Sequence, residues 1–310
     1  MKIFKNKNLK DLTSFKIASL ANYFVEIYNL DDFLIFFNWQ RDKNLPIFIL
    51  GGGTNILIDN FNGIVLKPNF RFIEEIEERM LKVGSGVLIS ELLDYVINRG
   101  YQGLEWAGGL PGEVGGAIEG GVGCFGGEFK NLILEVKAIN LKTGEEKIFS
   151  KEECLFAYRD SFFRQNKDWL IVETKLFFEN RKDKEELRKI AKEKINYRQM
   201  KHPLEYPNAG SIFKNIPLEK APKFVKDLAL EKNKVKNDPF PIIPVAFLIS
   251  EIGLKGKRIG DAQISEKHSN FIINLGRATF NDVYQLINFT KKKLEDKFEI
   301  KPEIEIQIIK

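Results

Sequence analysis

Ten of the twenty residues from 108 to 127 are glycine, in a chain that holds 24 glycines among 310 residues. The stretch GGLPGEVGGAIEGGVGCFGG is punctuated by Leu110, Pro111, Val114, Ile118 and Phe125, which sets it apart from a low-complexity linker. Glycine loses the most backbone entropy on folding, so a dense cluster has to be offset by left-handed backbone or by very close approach of another group. A phosphate-bearing ligand held by main-chain amides would supply that reason. An array of tight turns is the competing explanation. The cluster alone does not choose between them.

Size and composition narrow the classes. A chain of 310 residues exceeds what one core usually serves, so two or three domains are expected. Net charge is +5, with Lys and Glu interleaved rather than gathered into a patch. This argues against nucleic acid as the main partner and leaves anionic small molecules open. Cys124 and Cys154 have no CxxC spacing, and His202 and His268 are the only imidazoles, so no metal site is expected. Such sparse cysteine suits a reducing cytoplasm. The leading MKIFKNKNLKDLTSF lacks the apolar core of a signal peptide, and no apolar run approaches the ~18 residues of a membrane span. A soluble, cytoplasmic protein with no membrane partner is the expectation.

Periodicity predicts strands at 22–28, 46–50, 56–58, 63–66 and 81–84, with helices over 30–41 (opened by Asp31 and Asp32) and 88–99. Beyond the glycine cluster, strands are predicted at 132–141, 146–149 and 170–178. The charged run at 181–201 reads as a helix with a solvated face and as a connector. Helices at 245–251 and 282–298 and strands at 271–274 and 304–309 follow. A lysine-rich segment, 218–241, reads as a solvent-facing excursion.

Several short motifs carry candidate chemistry. GGGTN at 51–55 follows a short apolar strand, where main-chain N–H groups could hold a pyrophosphate, or where a strained turn would do as well. It is neither a P-loop nor a dinucleotide fingerprint. Gly84-Ser85-Gly86 imitates a Rossmann start, but Ile89 stands where the last glycine belongs, so it reads as a turn. Tyr158-Arg159-Asp160-Ser161-Phe162 sets an arginine beside a tyrosine just before a strand, with a surface ion pair as the plain alternative. In PNAGSIFKN at 207–215, small residues leave Ser211 approachable, while Lys214 and Asn215 could face anionic oxygens. Glu303, in Lys301-Pro302-Glu303-Ile304, puts a carboxylate at the entry to the last strand. Taken alone it would read as a surface glutamate.

GGGTN followed by the GxPGxxGGA at 109–117 resembles the FAD-binding domain of the vanillyl-alcohol-oxidase (PCMH) type. In their order, and with Leu254-Lys255-Gly256, Ile259-Gly260, His268-Ser269-Asn270-Phe271 and Asn274, the motifs resemble the UDP-N-acetylenolpyruvoylglucosamine reductase (MurB) family from about Thr13 onward. The short interval between Arg159 and Lys201 is similar to its type II members. The resemblance implies an α+β fold: an FAD-binding module of two subdomains (1–68 and 69–190) and a C-terminal α+β substrate-binding domain (191–310). It implies FAD as cofactor, NADPH as co-substrate, and reduction of UDP-N-acetylglucosamine enolpyruvate, with hydride reaching the vinyl C3 and a proton reaching C2.

Carried onto this chain, the resemblance makes Gly51, Gly52, Gly53, Thr54, Asn55, Pro111, Gly112, Gly115, Gly116 and Ala117 the FAD-binding residues. Ser211 becomes the general acid, and Arg159 and Glu303 attend the substrate carboxylate. Tyr158, Lys201, Lys214 and Asn215 become substrate-binding, with Arg198 as a substitute for Lys201. Three places depart from the family pattern: Gly121 stands where an asparagine is usual, Ala18-Ser19 replaces a glycine pair, and 218–241 looks inserted. Two other functions compete with the reductase: an FAD oxidase using O₂, and a non-catalytic nucleotide-sugar-binding protein.

Overall fold

The computed structural model describes residues 1–178 and 181–310. By packing, the chain divides into two units. The first comprises Met1–Lys7, Leu20–Gly53 and Phe61–Asn196; the second comprises Asn8–Ser19, Thr54–Asn60 and Tyr197–Lys310. The division falls inside the long helix Lys184–Lys201.

The first unit is built on two sheets. In one, Leu20–Ile27 and Ile47–Ile49 each run parallel to Phe61–Pro68, and Lys2–Asn8 lies on the outer side of Leu20–Ile27. Parallel strands are covered on both faces, which is why Val25, Ile27, Ile64, Val65 and Leu66 are all fully buried. Helix Leu30–Gln40 covers this sheet through Phe33 and Phe36. Its cap is Asn29, whose side chain accepts from the Asp32 amide, rather than the Asp31–Asp32 pair expected from sequence. Asp32 is instead taken up by the Met1 amino group and the Tyr28 amide.

The second sheet is antiparallel, in the order Glu146–Ser150, Ile133–Asn140, Trp169–Phe177, Met80–Gly84, Ile73–Glu77. One of its faces receives helix Ile89–Ile97 through Leu92, Leu93 and Val96. Ile139, Leu141, Leu170 and Val172 join the core of the first sheet.

The second unit contains an antiparallel sheet in the order Asn208–Ser211, Phe271–Asn274, Ala262–Ile264, Arg258–Ile259. Helix Phe280–Phe298 buries Val283, Leu286, Ile287, Leu294 and Phe298 in this unit's core. It starts at a capping box between Thr279 and Asp282. The strand expected at 304–309 is shorter. Gln307–Ile309 pairs in parallel with Ile56–Ile58, and Ile304 makes a separate bridge to Phe213.

Segment 218–241 is not the solvent-facing excursion expected from its lysines. It forms helix Lys223–Glu231 and the strand Lys236–Asn237. Val225 and Ala229, four residues apart on one helix face, are buried in the core, as is Ala221 just before the helix. The lysines occupy the other face, and they dominate the composition without deciding the structure.

Candidate active site

In the first unit the two glycine segments lie against each other. A side chain on Gly52 would place its Cβ 2.8 Å from the Gly112 Cα and 3.3 Å from the Glu113 nitrogen. Real Cβ atoms do not come that close to backbone, so glycine is required here by contact between two main chains. At Gly116, by contrast, a Cβ would meet nothing within 4 Å.

The second segment is hung on residues 85–89. Val114 and Gly115 donate to the carbonyls of Val87 and Ser85 (2.9 and 2.8 Å), and Ile89 donates to Gly112 (3.0 Å). Gly84-Ser85-Gly86 is thus a structural turn that supports the cluster. The cluster itself is not all loop, because Val114–Glu119 is a short helix that buries Val114, Ala117 and Ile118.

Lys67 bridges the two segments, and sequence reasoning missed it. Its Nζ donates to the Gly51 carbonyl at 2.9 Å and to Glu113 Oε1 at 2.5 Å. Burial pushes the Glu113 carboxyl up, and the opposing charge of Lys67 only partly offsets this. Glu113 Oε2 is buried with no hydrogen-bond partner. A paired main-chain cradle with open space beside Gly116 fits the diphosphate of FAD, which main-chain amides bind without bulk. Of the other candidates, Pro111 is exposed, Ala117 is buried, and Gly53 is left-handed at φ 65°. Thr54 and Asn55 belong to the second unit, where Asn55 bonds the carbonyl of Glu305 and accepts from the Gln307 amide.

Tyr158 and Arg159 form the tip of a tight turn closed by Ala157 and Asp160, which exchange both main-chain hydrogen bonds. Arg159 is left-handed at φ 57°, and its guanidinium lies 5.2 Å from the Tyr158 ring centre. Ser161, fully buried, accepts from the Arg164 amide and donates to the Glu119 carbonyl at 2.8 Å.

The turn rests on Gly121. That residue is left-handed at φ 52°, and a Cβ there would sit 2.6 Å from the Asp160 carbonyl oxygen. Asparagine tolerates the backbone angle, but the contact excludes any side chain unless the turn moves. Gly121→Ala is therefore expected to displace Tyr158–Arg159. We expect a cost of about 1–3 kcal/mol from overpacking, read as a lower melting temperature with FAD retained.

In the second unit Ser211 ends the strand Asn208–Ser211, opposite Phe271. The following residues are clamped by Asn270, whose side chain accepts from the Phe213 amide (3.1 Å) and donates to the Phe213 carbonyl (2.9 Å). Lys214 and Glu303 come together. The Lys214 amide donates to the Glu303 carbonyl, and their side chains form an ion pair at 3.1 Å. Glu303 is mostly exposed and Lys214 is nearly buried. Asn215 Oδ1 accepts from the Val245 amide at 3.2 Å, at the start of helix Val245–Glu251.

Of the two cations considered at the end of Lys184–Lys201, Lys201 is exposed and Arg198 is buried. Arg198 lies beside a cluster formed by His202, His268 and Phe271, whose ring centres are 4.7–5.5 Å apart. Burial pushes both imidazoles down to about 4. The charges of His268, Arg198, Lys267 and Lys236 add to this for His202, and those of Lys236 and Lys255 for His268. Both rings are thus neutral in the folded chain and become charged more easily when it unfolds. Their contribution to stability is whole above about pH 6.5 and is lost as pH falls from there towards about 4. Urea midpoints measured from pH 7 to pH 4.5 are expected to fall, and His202→Phe is expected to flatten that slope.

Among the described residues no group of His, Cys, Asp and Glu could hold a metal ion, and no helix is long and apolar enough to cross a membrane. Burial pushes the Cys154 thiol up to about 12.

Comparison with known families fits both halves. Residues 21–150, which include both glycine segments, match the FAD binding domain model. Residues 202–309, which include Ser211, Lys214, Asn215 and Glu303, match the C-terminal domain model of UDP-N-acetylenolpyruvoylglucosamine reductase. The curated UDP-N-acetylenolpyruvoylglucosamine reductase of Caldanaerobacter subterraneus subsp. tengcongensis is 34% identical over 309 residues, covering 98% of this chain and 93% of its own length. The chain belongs to the UDP-N-acetylenolpyruvoylglucosamine reductase family.

The Fusobacterium nucleatum reductase is 33% identical, with full coverage of both chains. The crystal structure of the Thermus caldophilus MurB matches with a TM-score of 0.76 at 26% identity, over 100% of this chain and 98% of that one. This family member is accordingly an FAD-containing oxidoreductase of α+β fold. Tyr158, Arg159 and Lys201 lie outside both matched stretches.

Proposed function

We propose that this chain reduces the enolpyruvyl ether of UDP-N-acetylglucosamine to UDP-N-acetylmuramate with electrons from NADPH, in the cytoplasmic synthesis of peptidoglycan precursors. The observation that carries the reading is the run Ser211–Asn215, clamped by Asn270 and joined to Glu303 through Lys214, within the stretch matching the reductase C-terminal domain. FAD, when bound, supplies hydride chemistry at the vinyl C3. What the protein must then provide is a proton for C2 and positive charge for the carboxylate conjugated with it.

Ser211 is the proton donor in this reading. It stands at a strand end and is only partly buried. Arg159 offers a guanidinium for the substrate carboxylate, and Glu303, reachable from solvent, polarises the same group. The UDP diphosphate is held by Tyr158, Lys214 and Asn215 together with Lys201 or Arg198, of which the buried Arg198 loses less entropy on binding. Residues 1–68 and 69–190 form the FAD module in this reading, and residues 191–310 the substrate domain.

The test is direct. The purified protein should be yellow, and its NADPH consumption should depend on UDP-N-acetylglucosamine enolpyruvate. Peroxide release without that substrate would mean an oxidase instead. Bound flavin with no turnover at all would mean a binding protein.

A further inference from the structure

We propose that Lys67 and Glu113 form a clasp that fixes the spacing of the two glycine segments and so sets the affinity for FAD; this rests on the reading of those segments as the cradle for its diphosphate. Lys67 stands near the end of strand Phe61–Pro68, the strand to which the approach to the first segment is bonded through Leu50 N–H and the Leu66 carbonyl. From there its ammonium reaches Gly51 of the first segment and Glu113 of the second. Three separate stretches of chain meet at one nitrogen.

Both side chains are largely sealed, at 15% and 9% exposure. Sealing a lysine and a carboxylate is expensive, and for packing alone two apolar side chains would serve as well. The pair does something an apolar pair would not. It bonds a carbonyl of one segment to a side chain of the other, directionally, where Gly52 already touches Gly112 and a shift of a few tenths of an ångström would change the gap. Its two charges also offset each other, so the segments close without leaving an unpaired carboxylate beside a dianionic ligand. Arg71 and Glu91 are the other charges acting on Glu113, and they pair with each other at 2.6 Å on a half-exposed face. Lys67 is therefore the cation that holds Glu113. Both are positioning residues, since neither is argued to touch the reacting atoms.

The dissociation constant of FAD from the apo-protein, measured by quenching of flavin fluorescence, tests this without turnover. K67M and E113Q are each expected to weaken binding by more than about fivefold, and the double variant by no more than the worse single one, because both remove the same clasp. Either single variant binding within about fivefold of the unaltered protein overturns the proposal, as does a double loss equal to the product of the two. Should K67M fail to fold, the isosteric E113Q decides by the same limit. Gly52→Ala separates the two readings. If it weakens FAD binding while K67M and E113Q do not, the clasp alone fails. If none of the three changes the affinity, the cradle reading fails with it.

Discussion

Gly52→Ala is expected to give a folded protein that has lost most of its FAD. The added methyl group would stand 2.8 Å from the Gly112 Cα, with the Glu113 nitrogen and Gly112 carbonyl carbon each at 3.3 Å. All three are backbone atoms, so no side chain can turn aside to relieve the contact. One of the two segments has to move. Overpacking of this kind typically costs about 1–3 kcal/mol, equivalent to roughly fivefold to 150-fold in an equilibrium constant. The loss should appear chiefly in cofactor affinity, because the residues that face each other, Gly52 and Gly112, are only partly buried. Gly116→Ala is the control: its Cβ would meet no protein atom within 4 Å, so any loss of FAD there reports contact with the ligand itself. The measurement is flavin content after purification, together with the apo-protein melting temperature. Full flavin retention in Gly52→Ala would remove the physical basis for the cradle.

The second large effect is expected at Ser211. Ser211→Ala should leave reduction of the bound flavin by NADPH close to that of the unaltered enzyme, while slowing reoxidation by the enolpyruvyl substrate by about 10²–10⁴-fold. A serine hydroxyl is a weak acid in water, so its use requires a held geometry and nearby positive charge. The structure supplies the held geometry: Asn270 bonds both main-chain groups of Phe213, and Lys214 is paired by main chain and side chain to Glu303. The substitution deletes one oxygen and touches neither of these. Stopped-flow absorbance of the two half-reactions separates the outcomes. Equal rates in both for Ser211→Ala would assign the proton to another donor.

Much of this was legible in the sequence, and the exceptions have physical reasons. The glycine segments stand out because close backbone contact admits one residue type. The apolar strands and the long C-terminal helix follow from period alone. Helix Val114–Glu119 is hidden because its two glycines each cost about 1 kcal/mol in a helix, a cost offset here by burying Val114, Ala117 and Ile118. Helix Lys223–Glu231 is hidden because the lysines in and around it mask a short apolar face of Val225, Leu228 and Ala229. The Lys67–Glu113 pair is separated by 46 positions, and no local pattern signals that such residues will meet. Asn270 and Asn274 were seen as family motif residues, but their work as backbone clamps on Phe213 and Phe15 is a matter of three-dimensional register. Gly121, the departure from the family pattern, became intelligible only with the turn at 157–160 in view.

The second unit draws Phe15, Ile17 and Leu57 into its core from two early stretches of chain, and Ile56–Ile58 supplies the partner of the final strand. This has a consequence for how the protein is made. As synthesis proceeds from the first residue, those pieces emerge long before the residues they serve, and they must wait while more than half the chain is added. The last strand, Gln307–Ile309, can pair with Ile56–Ile58 only after it has left the ribosome, so this unit is completed long after its first pieces are made. Expressing the C-terminal portion by itself should therefore yield an aggregation-prone fragment, and supplying residues 8–19 and 54–60 in a rearranged gene should rescue it.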